Sequence, residues 1–393
     1  MIWPMLAMAI LTSANEVVET PRPEATTISF VAIGFTGPQS PRDRAVLEIV
    51  MRALPRQTIE YGLRQIDEIT TGGTPVRTVI MPDHVRISFE TARGGLKVGA
   101  SLLESLLCRP VLNQEDLDRA WQDLRGRNLP AWNAALDPTP YAWGPVTQAE
   151  ATAQVQKLFN QNTWIGVGGA IQLGEAKAEW SRRAITWTAP TPVRVSRNQY
   201  PAVSGLITRQ VSWLELQGPT IPAADAAWGT GLLAATALGT GKGSSLHRIV
   251  RERERLSYRQ EAVLWPTPEG WCTRLILLQR SSEADPSQGE KVTALLREDV
   301  NSWQDSDRLR ALRVLRESLA GEFPLGALYL EPSGPIGSRT ADETFMAAYF
   351  RAKTGRTWNR EALLAGLEKV SLDELKQTAL EFLNAAKLIR GLD

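Results

Sequence analysis

Residues 243–258 read Gly-Ser-Ser-Leu-His-Arg-Ile-Val-Arg-Glu-Arg-Glu-Arg-Leu-Ser-Tyr, and this stretch gives the clearest indication of the fold. Its first part predicts a helix, because Ser244 can cap the exposed backbone N–H groups and apolar residues recur at the spacing of one helical face. Those apolar residues are Leu246, Ile249 and Val250. We expect the helix to end near Leu256.

Two strands follow this helix. Tyr258 to Trp265 and Trp271 to Gln279 are rich in apolar and β-branched residues, and Pro266-Thr267-Pro268-Glu269-Gly270 between them is typical of a turn. The sequence therefore predicts a helix that leads into a β-hairpin.

The pattern in this region resembles a known family. Ser-x-Leu at 244–246, then Arg251-Glu252, then Leu256-x-Tyr258 with a strand leaving the tyrosine, resembles the C-terminal domain of the insulinase-like (M16) zinc peptidases and their non-catalytic relatives. The alternative is a charged amphipathic helix with a solvated face and no further role.

Length and composition indicate a globular protein of two domains. The chain has 393 residues, of which 43% are hydrophobic, which is enough for two cores. Its formal net charge is +1 and it has no long run of one sign, so composition favours neither nucleic acid nor an anionic membrane surface as a partner.

The N-terminus, Met1–Ala14, is apolar from Ile2 to Leu11 and ends in small residues that suit a signal-peptidase site. It lacks a basic first region and is too short to span a membrane. Two alternatives follow: a signal peptide, which would make the protein periplasmic or secreted, or a frayed or buried start in a cytoplasmic protein. No other stretch is apolar enough to span a bilayer.

Cysteine and histidine are rare. Cys108 and Cys272 have no metal-type or redox-type spacing, so we expect two buried thiols, or a single disulfide if the chain is exported. His84 and His247 lie in different halves, and we expect each to be partly buried and hydrogen-bonded rather than a metal ligand.

The order of predicted elements repeats along the chain. In the first half we expect strands at 28–35, 76–81, 85–89 and 164–171 and helices at 42–54, 58–69, 96–107, 114–124 and 147–159. In the second half we expect a strand at 210–216, helices at 223–238 and 245–256, the hairpin, helices at 288–303 and 308–320, further helices to 383 and a strand at 387–389.

A segment rich in proline and polar residues, 188–205, separates the halves and suits a linker. We therefore expect domains at 26–187 and 206–393. The resemblance implies an α+β fold of two duplicated M16-type domains, each an antiparallel sheet backed by helices, joined by this linker and enclosing a chamber.

Active members of the family carry His-x-x-Glu-His in the first long helix, where two histidines bind zinc and the glutamate activates water. The corresponding segment here is Ala45-Val46-Leu47-Glu48-Ile49, in which only Glu48 is retained. The methyl group of Ala45 and the sec-butyl group of Ile49 have no lone pair. The family's third ligand would fall near Asp123, but no clear match is present. The resemblance therefore implies a member without the zinc site, and we expect no cofactor.

By the same resemblance, non-catalytic subunits pair with a zinc-bearing subunit and close the chamber around a peptide. Arg251 and Tyr258 match the arginine and tyrosine that such subunits direct at the substrate, and both are hydrogen-bond donors that can hold a peptide carbonyl. A structural alternative gives Arg251 a glutamate partner on the helix and packs the Tyr258 ring under the sheet. A functional alternative is a scaffold subunit that holds an assembly without binding substrate.

Overall fold

The computed structural model describes residues 17–36, 40–81, 83–125, 144–159, 163–183, 211–222, 227–267, 270–280, 287–319 and 339–390. Met1–Ala14 and the linker 188–205 lie outside these residues. The signal peptide and the domain boundaries therefore stay predictions.

The first half is built on a five-stranded sheet with the order β1-β5-β2-β4-β3. The strands are β1 (Val17–Pro21), β2 (Thr27–Phe35), β3 (Arg77–Ile80), β4 (His84–Ala92) and β5 (Thr163–Gly169). Its helices are α1 (Pro41–Ala53), α2 (Leu63–Thr70), α3 (Leu96–Cys108), α4 (Gln114–Arg125), α5 (Gln148–Phe159) and α6 (Glu175–Ser181). All neighbouring strands are antiparallel except β1 and β5, which are parallel.

The second half is built on an antiparallel sheet of four strands with the order β7-β8-β6-β9. The strands are β6 (Val211–Pro222), β7 (Arg259–Thr267), β8 (Gly270–Arg280) and β9 (Lys387–Arg390). The helices are α7 (Ala227–Gly239), a π-helix (His247–Arg253), α8 (Ser287–Ser302), α9 (Asp305–Leu319), α10 (Arg339–Thr354), α11 (Arg360–Glu368) and α12 (Leu372–Ala385).

The two sheets share one strand order. The order β5-β2-β4-β3 in the first half corresponds, strand for strand along the chain, to β9-β6-β8-β7 in the second. The helices agree, since α1 packs against α4 and α5 while α7 packs against α9 and α12. The predicted α+β fold of two duplicated domains, each a sheet backed by helices, is confirmed, with the parallel β1 as an addition to the first sheet.

Strand β2 lies between two cores because both of its faces are buried. Phe30 and Ala32 pack with the helices of the first half. Val31 and Ile33, on the opposite face, belong to a core made mainly by the second half. This alternation follows from the period of two residues along a strand.

Helix α10 belongs to the second half by sequence but packs on β5, β2 and β1 of the first sheet. Glycines of β5 allow this close approach: a Cβ on Gly166 would lie 3.0 Å from Ala348 Cβ, and one on Gly168 would lie 2.0 Å from Thr344 Oγ1. Helix α10 thus covers a face of the first sheet, and the two halves share a core there. The chamber that the resemblance implies stays a prediction.

One helix begins later than predicted. The prediction of a helix from Thr58 is wrong, because α2 starts only at Leu63. Tyr61 donates its backbone N–H to Thr58 Oγ1 at 2.9 Å, and Thr58 pairs with Pro110 in an isolated bridge. This turn satisfies the backbone groups that a helix would have used.

Cys108 and Cys272 are both free thiols. Cys272 is buried in β8, as expected, whereas Cys108 is exposed, so the prediction of two buried thiols is wrong for Cys108. Cys108 is the last residue of α3 and directly follows the buried Leu107. No helix in the described part of the chain is both long enough and apolar enough to cross a bilayer.

Candidate functional site

The segment that carries the sequence pattern forms a π-helix, His247–Arg253, rather than the predicted α-helix to Leu256. Glu254 N donates to Ile249 O and Leu256 N donates to Val250 O, both at 2.9 Å. These hydrogen bonds join residues five and six positions apart, whereas those of an α-helix join residues four positions apart. π-helical turns occur frequently at functional sites.

The chain leaves the π-helix through a strained residue. Arg255 has φ +53°, the single positive value among the non-glycine residues that the structure describes. A residue with a Cβ in this left-handed region costs about 1–2 kcal/mol. The bend lies between Arg251 and Tyr258, and it separates the π-helix from β7.

The apolar face of the π-helix packs as the sequence predicts. Leu246, Ile249 and Val250 are buried in the large core of the second half. The π-helix lies against α8 and β7. The apolar spacing therefore identified the buried face correctly, although the type of helix was wrong.

A carboxylate on α8 anchors the start of the π-helix. Asp299 Oδ2 accepts from Ser245 Oγ at 2.5 Å, from Arg248 Nη2 at 2.7 Å and from Trp303 Nε1 at 3.1 Å. Arg248 Nη1 also donates to Asp307 Oδ1 on α9 at 2.9 Å. Burial disfavours the guanidinium charge, but the bonds from Asp299 and Asp307 outweigh burial and raise the pKa of Arg248 above its usual value.

The two predicted substrate-binding residues are exposed. Tyr258 retains 76% of its accessible surface, and Arg251 is also exposed. Within the described ranges neither side chain has a hydrogen bond or ion pair. The neighbouring glutamates have other partners: Glu252 lies 3.3 Å from His247 Nδ1, and Glu254 lies 2.6 Å from Lys291 Nζ.

The exposure and contacts of Arg251 and Tyr258 contradict the structural alternative for both residues. Arg251 does not pair with a neighbouring glutamate, and the Tyr258 ring does not pack under the sheet. The helix ends before the tyrosine, and Tyr258 directly precedes β7. Both side chains are therefore exposed and, within the described ranges, have no polar partner.

The segment that corresponds to the zinc motif lies in α1. Ala45 and Ile49 are completely buried, whereas Glu48 is partly exposed and makes contacts of its own. Asp123 is exposed on α4. Among the described residues no group of three or more His, Cys, Asp or Glu side chains is placed to hold a metal ion.

A buried polar cluster, which sequence reasoning missed, lies where the two halves meet. Asp83, in the turn between β3 and β4, accepts hydrogen bonds from His84 Nδ1 at 2.7 Å, from Tyr349 OH at 2.8 Å and from Lys353 Nζ at 2.5 Å. Lys353 Nζ also donates to Thr267 O at the end of β7, at 2.7 Å. The prediction that His84 is hydrogen-bonded is confirmed, and its burial is complete.

Burial and pairing set the ionisation of this cluster. Burial would raise the pKa of Asp83, but the Lys353 ammonium and the bonds from His84 and Lys353 hold it well below its usual range. Burial lowers the pKa of His84 despite its contact with Asp83. Burial likewise lowers the pKa of Lys353, against the attraction of Asp83. A neutral His84 therefore donates from Nδ1, and Nε2 has no hydrogen-bond partner in the described residues.

Comparison with known proteins places the fold. No family model matches the chain, and no curated protein sequence matches it. The crystal structure of the peptidase M16 inactive domain from Pseudomonas fluorescens is similar with a TM-score of 0.71 and 14% identity, over 96% of this chain and 97% of that one. This chain has an M16-like fold.

Two further structures agree. A protease from Helicobacter pylori is similar with a TM-score of 0.68 and 12% identity, over 96% of this chain and 98% of that one. A conserved protein from Enterococcus faecalis V583 is similar with a TM-score of 0.65 and 13% identity, over 94% and 93% of the two chains. The M16-like fold thus covers nearly the whole sequence, as the resemblance in residues 243–258 implied.

Proposed function

We propose that this protein is a non-catalytic M16-like subunit that binds peptide and completes the chamber of a zinc-bearing M16 partner. In this proposal Arg251 and Tyr258 hold the backbone of the substrate. The observation that carries the proposal is the exposure of both donors, with Arg251 inside a π-helix that Asp299 binds through Arg248 and Tyr258 directly before β7.

The donors suit an extended peptide. A guanidinium presents several N–H groups and a phenol presents one O–H, and peptide carbonyl oxygens accept from both. Because the nearby glutamates are engaged by His247 and Lys291, they leave Arg251 available to a ligand. A charged donor of this kind contributes about 1.5–3 kcal/mol to holding an acceptor.

The segment in α1 supports a role without hydrolysis by this chain. Zinc catalysis requires ligands with lone pairs and an open position for water. Ala45 and Ile49 offer neither, because their side chains are aliphatic and completely buried. In this proposal the zinc-bound water belongs to the partner subunit, and Met1–Ala14 is a signal peptide that directs this chain to the periplasm or the outside of the cell.

The experiment measures binding and stimulation with the full chain. A fluorescein-labelled peptide without stable structure is titrated with the purified protein, and a zinc-bearing M16 homologue is assayed with and without it. The proposal expects peptide binding and a faster turnover by the homologue. Absence of both, with a stable complex between the two proteins, would favour the scaffold alternative.

Metal analysis of the dialysed chain completes the test. We expect less than a stoichiometric amount of zinc and no chelator-sensitive cleavage by the chain alone. One tightly held zinc per chain with chelator-sensitive activity would overturn the non-catalytic assignment.

A further inference from the structure

Helix α8 contacts both ends of the π-helix. At the start of the π-helix, Ser245 and Arg248 donate to Asp299 of α8. Directly after the end of the π-helix, Glu254 pairs with Lys291, which lies two turns before Asp299 on α8. The segment between these ties contains Arg251. Helix α8 therefore holds the segment on both sides of Arg251.

We propose that Asp299 is a positioning residue for Arg251. It acts through Ser245 and Arg248 and does not itself touch the peptide. This inference rests on the proposed function and deepens it, because it states what holds one of the two binding residues in place.

The geometry explains why such a support is needed. A π-helical turn is rare, and a left-handed residue such as Arg255 persists only where the surrounding structure determines it. Without external ties, the segment would relax toward an ordinary α-helix and Arg251 would emerge in another direction. Asp299 ties the segment to α8 at two residues, because its charged carboxylate accepts from both Ser245 and Arg248.

Arg248 and Trp303, two of the donors to Asp299, make further hydrogen bonds at the start of the π-helix. Arg248 donates to Asp307 Oδ1 and to the backbone carbonyl of Gly243 as well as to Asp299. Trp303 Nε1 donates to Ser245 Oγ at 3.0 Å as well as to Asp299. Asp299 thus connects the hydroxyl, the guanidinium and the indole, and its side chain is only 12% exposed.

The first experiment needs no peptide. Hydrogen exchange of the full chain is compared for the wild type, Asp299→Asn, Asp299→Ala and a control, Glu179→Ala. Glu179 is a matched control because it is a nearly buried carboxylate on α6 that binds Arg183 at 2.7 Å, far along the chain from the π-helix. We expect at least tenfold faster exchange of the amides of residues 246–258 in the Asp299 variants and unchanged exchange there in Glu179→Ala.

The second experiment is a double-mutant cycle on peptide affinity. Asp299→Ala should weaken binding of the labelled peptide about tenfold, because it misplaces Arg251, whose charge-assisted bond to the peptide contributes roughly that factor. Combined with Arg251→Ala, it should weaken binding no further than Arg251→Ala alone. Additive losses in the cycle would overturn the proposal, because a general structural defect would weaken binding independently of Arg251.

The two claims fail in different ways. A wild-type chain that binds no peptide would refute the proposed function, and faster exchange at residues 246–258 in Asp299→Asn would still support a positioning role for Asp299. Unchanged exchange in both Asp299 variants would overturn the positioning role even if the wild type binds peptide.

Discussion

Asp83 and Lys353 form a buried ion pair that joins the two halves of the chain. Asp83 Oδ2 lies 2.5 Å from Lys353 Nζ, and the two side chains are 0% and 4% exposed. The ammonium also lies 4.7 Å from the centre of the Trp271 ring on β8. The Lys353 ammonium, near the end of α10, therefore contacts both the β3–β4 turn of the first half and the second sheet.

Removing Lys353 should destabilise the protein strongly. Lys353→Met leaves the Asp83 carboxylate buried without its countercharge, so we expect the free energy of unfolding to fall by about 3–5 kcal/mol in urea denaturation. Arg64→Ala is the control, because Arg64 and Glu68 form an exposed pair, and it should cost at most about 0.5 kcal/mol.

A double variant separates the charge from the volume. Asp83→Asn with Lys353→Met removes both charges and should recover part of the loss. If Lys353→Met alone costs less than about 1 kcal/mol, the pair does not hold the halves together.

Acid should weaken the same junction. The pKa of His84 is lowered in the folded protein, so the unfolded chain binds a proton first as pH falls below the ordinary histidine value of about 6.5. The stability due to neutral His84 is thus present above that pH and lost progressively below it. The lowered pKa of Asp83 adds a second loss below the ordinary aspartate value. We expect the free energy of unfolding to fall by about 1–2 kcal/mol from pH 7 to pH 5.

The variant His84→Asn isolates this effect, since an amide can donate to Asp83 but does not titrate. Its free energy of unfolding should change less between pH 7 and pH 5 than that of the wild type. The difference corresponds to the uptake of at most one proton, about 1.4 kcal/mol per pH unit. Equal pH dependence in the two proteins would show that His84 is not the group responsible.

The close packing of α10 on the first sheet should require glycine at position 168 of β5. In Gly168→Ala the new methyl group would lie 2.0 Å from Thr344 Oγ1 and 2.1 Å from Thr20 Oγ1, so α10 must move or the strand must bend. We expect a loss of about 1–3 kcal/mol in thermal or urea unfolding. Gly366→Ala on α11, where nothing lies within 4 Å, should instead be neutral or stabilising by up to about 1 kcal/mol. Similar effects of the two substitutions would contradict the close packing at β5.

The sequence predicts local features well, because they depend on neighbouring residues. The spacing of Leu246, Ile249 and Val250 identified the buried face of the helix, and the order of strands and helices identified the duplication. The same spacing cannot distinguish a π-helix from an α-helix, because three buried residues within one turn satisfy both. The left-handed Arg255 gives no signal in sequence, since glycine is the usual residue in that conformation.

Long-range contacts could not be predicted from the sequence. Asp83 and Lys353 are 270 positions apart, and neither lies in a recognisable motif. The apolar residues of Arg339–Thr354 predict a helix but do not say which sheet it covers. A single signal was available: Asp83 stands between the strands predicted at 76–81 and 85–89 and next to His84, one of only two histidines in the chain.

The turnover of a reconstituted complex tests the central claim most directly. The full chain, as wild type, Arg251→Ala or Tyr258→Phe, is combined with a zinc-bearing M16 partner that is active with the wild-type chain, and peptide cleavage is measured. Arg93→Ala and Tyr61→Phe are the controls, because they make the same chemical changes in the first half. We expect each of the two site variants to lower turnover about tenfold or more, as loss of one donor worth roughly 1.5–3 kcal/mol does, with the controls unchanged. Wild-type turnover with both Arg251→Ala and Tyr258→Phe would contradict a substrate-binding role for these residues.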